Sequence, residues 1–187
     1  MAAMSPVPLT LTAAPTTSAP ALLLRPWEAT DAEALATAFQ DPEMRMWLRT
    51  CIDDESEARR WIEGQAEAWS AGTRFSFAVM EEGADTEPLG QVVVKEVSPG
   101  ISSAEVGYWT VRAARGRGIA PRALDAVAHW ALTEHPLHRL ELIHALDNVA
   151  SCRVANKCAF IQHAVLPPQP PSFPSTGHLH VRLREAL

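Results

Sequence analysis

The sequence predicts one mixed α+β domain over residues 21–187, and three observations carry that prediction. The chain has 187 residues, the size of one domain and too short for two substantial ones. Strand-like runs follow one another at residues 74–80, 89–97 and 103–111, separated by turn-forming segments, as in an antiparallel meander. A glycine- and arginine-rich turn then leads into an amphipathic helix, so strands and helices alternate in the second half.

Composition narrows the function classes. Hydrophobic residues make up 47% and charged residues 20%, ordinary for a globular protein. Sixteen basic against twenty-two acidic residues give a net charge of −6, which argues against a general nucleic-acid surface. No run approaches the roughly eighteen apolar residues of a membrane span. Three cysteines, Cys51, Cys152 and Cys158, cannot all pair, so a reducing cytoplasm is the simpler setting.

The elements follow in order. Residues 1–20 are rich in Ala, Pro, Thr and Ser and uncharged, and they read as a disordered tail. A cleaved targeting peptide is the alternative, but the basic n-region of a secretory signal is missing. Leu22, Leu23 and Leu24 form a first strand before Pro26. Thr30 offers a cap for a helix over 31–40, which Asp41-Pro42 ends. Ala58, Trp61, Ile62, Gln65 and Trp69 recur at three- and four-residue spacing, and Gly72 closes that helix. After the meander, a helix over 121–135 presents Leu124, Val127, Ala128, Ala131 and Leu132 on one face, and Pro136 blocks its extension. Residues 140–145 read as a strand, 151–159 as a short helix, 160–165 and 178–183 as strands. A proline-rich excursion covers 167–174.

The turn from Val111 to Pro121 carries the chemistry. Two glycines, Gly116 and Gly118, allow close backbone approach, and successive N–H groups can point at an anion. Pro121 at the first helical position lacks only an orphaned donor, and the helix N-terminus adds roughly half a positive charge. Together these form a pyrophosphate cradle with Arg115 and Arg117 as counter-ions. A dinucleotide fingerprint would want a third glycine where Pro121 stands, and a P-loop would want Gly-Lys-Ser/Thr. A plain solvated turn is the competing reading.

Arg115-x-x-Gly118-x-Ala120 resembles the acetyl-CoA signature of the GNAT acetyltransferase superfamily. The preceding Ala104-Glu105-Val106-Gly107-Tyr108-Trp109 resembles its RimJ/RimL-like branch. A second match runs downstream as Asn148-x-x-Ser151-x-x-Val154-Ala155-x-Lys157-x-Ala159-Phe160, with alanine at 159 where the family usually has glycine. The resemblance implies the GNAT fold: a mostly antiparallel central sheet of about seven strands, flanked by about four helices and splayed between the fourth and fifth strands. It implies acetyl-CoA as co-substrate, with the pantetheine arm on Trp109, Thr110 and Val111. The pyrophosphate would sit on Arg115, Gly116, Arg117, Gly118, Ile119 and Ala120; Asn148 would contact the cofactor arm or the acceptor, and Ser151 would also contact the cofactor.

The implied reaction is direct transfer of acetyl to an amine. The favoured acceptor is a peptide or protein N-terminus. A small amine is the runner-up, and a non-catalytic acyl-CoA sensor is a third reading. An α-amine with pKa near ~7.8 costs about 1 kcal/mol to deprotonate at pH 7, and a lysine near ~10.4 about 4–5 kcal/mol, so a base helps either. By resemblance Glu105 is that base and Ser151 the acid for the thiolate. A solvated strand charge and a helix-start hydroxyl are their bland readings, and Asn148 reads equally as a cap. His178 and His180 share a strand face, and His180 is a further candidate for substrate binding or proton transfer.

Trp27, Trp47, Trp61 and Trp69 gather in the N-terminal helical region and read mostly as core, with one or two walling an acceptor pocket. Cys152 and Cys158, six apart on a helix, do not share a face, so metal ligands are lacking and no metal is expected. Residues 167–174 could edge the acceptor cleft or a homodimer contact.

Overall fold

The computed structural model describes residues 9–83, 87–98, 100–168, 170 and 174–185. The strands are β1 (Leu11–Ala13), β2 (Leu22–Pro26), β3 (Phe75–Glu81), β4 (Gly90–Lys95), β5 (Ser103–Thr110), β6 (Arg139–Ala145), β7 (Ile161–Leu166) and β8 (Gly177–Leu183). The helices are α1 (Ala32–Ala38), α2 (Pro42–Trp47), α3 (Glu55–Ser70), α4 (Ile119–Thr133) and α5 (Val149–Lys157). All strands join one sheet in the order β1-β2-β3-β4-β5-β6-β8-β7. Every pair is antiparallel except β5–β6, because α4 is the crossover that returns the chain in the same direction.

Alternation along the strands builds two cores. Phe77, Val79, Val92, Val94 and Val106 point to the face covered by α4, where Leu124, Val127, Ala128 and Ala131 have no exposed surface. Ala78 and Trp109 point to the other face, where they meet Trp27, Leu35, Phe39, Ala58 and Ile62 under α1 and α3. Trp27 stacks on Trp109 with ring centroids 5.9 Å apart and meets Trp61 edge-on at 5.6 Å. Its indole N–H donates to Gln91 Oε1 at 2.9 Å. Trp69 instead packs edge-on against Phe75 and Phe77 in the first core. The expected tryptophan cluster is thus divided.

Three sequence expectations need correction. The expected tail contributes β1: Leu9, Leu11 and Ala13 alternate with threonine, pack on the α4 core, and pair antiparallel with β2. Arg122 of α4 holds this segment by donating to the Ala14 and Pro20 carbonyls at 2.8 and 2.6 Å. Residues 1–8 of that expected tail lie outside the described residues, as do 169 and 171–173 of the proline-rich excursion. Asp41-Pro42 opens a helix as well as ending one: Asp41 caps α2 by accepting from Glu43 N–H at 3.1 Å, and Pro42 takes the first position. Pro121 stands two residues inside α4 rather than at its start, still among the four N–H positions that need no intrahelical partner.

Candidate functional site

β5 and β6 are paired only from Ser103 to Val106, while β5 continues to Thr110. Val111 N–H donates back to Leu89 at 2.9 Å, so odd-numbered residues of β5 address β4. Alternation then aims the backbone groups of Tyr108 and Thr110 into the gap, with no strand to satisfy them. This is the expected splay. Val111, expected to share in holding the cofactor arm, has its donor already committed.

The gap opens into a cavity of about 330 Å³. One wall is β5 at Tyr108, Trp109 and Thr110; the floor is the start of α4; α5 supplies Asn148, Ser151, Arg153 and Lys157; α2 roofs it with Met44 and Trp47. Arg115, Gly116, Gly118, Ile119 and Ala120 line it as expected; Val111 and Arg117 do not.

The α4 start is a cradle for physical reasons. Gly116 and Gly118 sit at φ +75° and +74°, the left-handed region that side chains with a Cβ rarely adopt. Gly118 occupies the cap position and no side chain caps the helix. The N–H groups of Gly116, Arg117 and Gly118 meet no protein acceptor among the described residues. Orphan donors at a dipole's positive end suit phosphate. The arginines expected as counter-ions are otherwise engaged. Arg115 bonds Asp41 at 2.5 Å and Glu43 at 2.6 Å, tying α2 to the cradle, and Arg117 pairs with Glu81 at the end of β3. Arg153 and Lys157, which sequence reasoning passed over, line the cavity with no carboxylate partner among the described residues. Arg153 and Lys157 are four residues apart, which puts them on one helix face and was the available signal.

Tyr108 is the third residue missed. Its side chain points to the α4 side of β5, its hydroxyl is buried, and no group among the described residues meets hydrogen-bond geometry with it. Burial pushes its pKa up to about 12; Ser151 lies near enough to pull slightly the other way. Ser151 N–H donates to Asn148 Oδ1 at 3.1 Å, so Asn148 is a helix cap as well as a cavity residue.

Glu105 does not reach the cavity. It lies in register with Lys95 across β4, pairs with it at 2.7 Å, and shares the face of Gly107 and Trp109, opposite Tyr108. His180 is fully buried and does not line the cavity either. It sits instead against His144, a residue the sequence reading did not single out; β6–β8 pairing sets Leu142 opposite His180 and His144 opposite His178. Cys152, expected to lack metal-ligating neighbours, lies 3.9 Å from His180 Nε2. Ala159 takes φ +57°, so the turn that commonly carries glycine keeps its shape with alanine under strain.

An open strand edge and an uncapped helix start thus face one cavity. The chain belongs to the acetyltransferase (GNAT) domain family, whose model matches residues 21–161. It is similar to a ribosomal-protein-serine acetyltransferase of Escherichia coli (strain K12), 27% identical over 115 residues, covering 62% of this chain and 63% of that one. The chain thus spans less than two thirds of that relative's length. Among solved structures it resembles RimL, a ribosomal L7/L12 alpha-N-protein acetyltransferase in complex with coenzyme A. That match has a TM-score of 0.80 and 18% identity over 92% of this chain and 97% of that one. It also resembles the microcin C7 self immunity acetyltransferase MccE in complex with acetyl-CoA and AMP. There the TM-score is 0.78, with 16% identity over 87% of this chain and 92% of that one. No helix among the described residues is long and apolar enough to cross a membrane.

Proposed function

We propose that the protein transfers acetyl from acetyl-CoA directly to the α-amine of a peptide or protein N-terminus. The observation that carries this reading is one cavity holding both the unpaired edge of β5 at Tyr108 and Thr110 and the uncapped start of α4. Amides of the cofactor arm would complete the strand edge, and its pyrophosphate the helix start. Arg153 and Lys157 add the positive charge that Arg115 and Arg117 have given to carboxylates. The ribosomal-protein acetyltransferase names of the relatives favour a protein acceptor, and the unpaired cysteines suit a reducing cytoplasm.

In the reaction the neutral amine attacks the thioester carbonyl, the C–N bond forms, the C–S bond breaks, and the departing thiolate takes a proton. Tyr108, kept protonated by burial and with Ser151 beside it, is placed to give that proton as the C–S bond breaks, and the phenolate left behind is reprotonated from solvent. Glu105, on the acceptor face of β5, would receive the amine proton through water.

Calorimetry with coenzyme A, followed by thiol release from acetyl-CoA with peptides bearing free or blocked N-termini and with small amines, tests the reading. Turnover with free N-termini alone supports it. Turnover only with small amines moves the acceptor to the second class, the one MccE's AMP-bound structure keeps in view. Tight binding without any turnover makes the protein a sensor.

A further inference from the structure

Behind the cofactor cavity, β6, β8 and α5 converge on four groups outside the acetyl-transfer machinery just described. His144, His178, His180 and Cys152 bring one ligand atom each to within 4.8 Å of one another. His144 and His180 stack with ring centroids 5.1 Å apart, and their Nε2 atoms are 3.2 Å apart.

The protons on these rings follow from their outer partners. His144 Nδ1 lies 2.8 Å from the Ala145 carbonyl and His180 Nδ1 3.3 Å from the Phe160 carbonyl. A carbonyl only accepts, so each ring carries its proton on Nδ1. Both Nε2 atoms therefore turn lone pairs toward each other, an arrangement with no hydrogen between them. A cation shared by the two lone pairs relieves it directly. Imidazole Nδ1–H on a backbone carbonyl is also the arrangement that orients a histidine for metal ligation. His178 adds an independent sign: its Nδ1 is buried with no hydrogen-bond partner among the described residues.

Two of the six ligand–ligand edges come close to a tetrahedral ion's, and all lie within 4.8 Å. Tetrahedral zinc with Zn–N near ~2.05 Å and Zn–S near ~2.3 Å places N···N edges at about 3.3 Å and N···S edges at about 3.6 Å. The observed edges are 3.2 Å for His144–His180 and 3.9 Å for Cys152–His180. A soft thiolate with three imidazoles suits zinc, and with no carboxylate in the group it does not suit magnesium or calcium. We propose that His144, His178, His180 and Cys152 form a tetrahedral site for a zinc-class divalent ion. Binding displaces the Cys152 thiol proton to solvent. The ion would pin α5 to β6 and β8 one residue beyond Ser151, fixing the wall that carries Asn148 and Ser151. This inference does not rest on the acetyl-transfer reading, and its test needs no activity.

The full chain is reduced, stripped with chelator, checked for folding by circular dichroism, and titrated with Zn²⁺ by calorimetry. One ion per chain, with proton release, is expected. Co²⁺ in its place should give a thiolate-to-cobalt charge-transfer band and the intense visible bands of a tetrahedral ion. Cys152→Ser should remove the charge-transfer band and weaken Zn²⁺ at least about tenfold, in line with losses at metal sites. Cys51→Ser and His163→Ala should change neither. X-ray absorption on the wild-type zinc form covers the case of a variant that does not fold: one sulfur near ~2.3 Å with nitrogens near ~2.05 Å is expected. No stoichiometric Zn²⁺ uptake by folded protein, a shell without sulfur, or an octahedral cobalt spectrum indifferent to Cys152→Ser overturns the proposal.

Discussion

Replacing Tyr108 with phenylalanine should move stability and activity in opposite directions. The Tyr108 hydroxyl is buried without a partner among the described residues, and burial pushes its pKa up to about 12. A buried polar group left unsatisfied costs roughly 1–3 kcal/mol, and Tyr108→Phe removes the group while keeping the ring that packs on the α4 core. For a domain of this size 1 kcal/mol corresponds to about 2–4 °C, so Tm should rise by a few degrees at pH 7. The alkaline side adds an independent check. The folded pKa lies above the unfolded value of 10.0, so the folded state holds the proton more tightly. Stability is therefore lost as pH rises from the unfolded towards the folded pKa, by on the order of 2–3 kcal/mol for two pKa steps. The variant lacks that loss. If the hydroxyl also protonates the departing thiolate, kcat should fall about 10²- to 10⁴-fold with little change in coenzyme A affinity. Melting curves at pH 7 and pH 10–11, with thiol-release kinetics, read all three quantities. A lower Tm would show a hydrogen bond in the folded state, and unchanged kcat would remove Tyr108 from the chemistry.

Further predictions concern the cradle, the acceptor face and the sheet. Gly118→Ala should weaken coenzyme A binding by about tenfold in calorimetry; its Cβ meets nothing within 4 Å, so the loss would come from the φ of +74°, whose cost of about 1–2 kcal/mol drives the loop out of line. The paired charge reversal Arg153→Glu with Lys157→Glu should weaken coenzyme A at low salt and lessen the salt dependence of binding, each phosphate contact being worth about 1 kcal/mol or less when exposed. Glu105→Gln should lower kcat in thiol-release kinetics, with KM for acetyl-CoA unchanged. Ala159→Gly should raise Tm by a few degrees by relieving a left-handed alanine at φ +57°, worth about 1 kcal/mol.

What was legible in the sequence was what local rules control. The meander strands, the α3 and α4 periodicities and the Gly116–Gly118 turn depend on neighbours within a few residues, and each stands where its pattern puts it. Errors arose where one signal serves two structures. Aspartate followed by proline stops one helix and caps the next, so Asp41 was read for only half of its work. Leu9-Thr10-Leu11-Thr12-Ala13 alternates as an edge strand, but its proline- and serine-rich flanks outweighed five residues of pattern. The charge partners of Arg115 and Arg117 come from α2 and β3, far along the chain, and no spacing rule connects them.

The histidine cluster sharpens the same point, because its members were individually visible and its existence was not. Period-2 alternation put His178 and His180 on one face, and helical spacing correctly separated Cys152 from Cys158. The missing step was the order of the last three strands. β8 enters the sheet between β6 and β7, so its histidine face lies beside that of β6, and the register sets His144 opposite His178. The helix linking β6 to β7 then crosses this corner and delivers Cys152. Had β7 taken the inner position, the fully exposed Gln162 and His163 would have faced β6, and His180 would stand at the sheet edge. A sheet with β7 and β8 exchanged would keep nearly every local pattern in this sequence and lose the cluster. The inner placement is selected by burial: Ile161, Gln162 and His163 are exposed, whereas His180 and Val181 are buried beside Phe160. A polar residue as costly to bury as His180 holds the inner position with the Phe160 carbonyl on one ring nitrogen and the other turned to His144 Nε2 with no hydrogen between them, so His144→Leu should cost little Tm without metal and abolish the rise in Tm that Zn²⁺ gives the wild type.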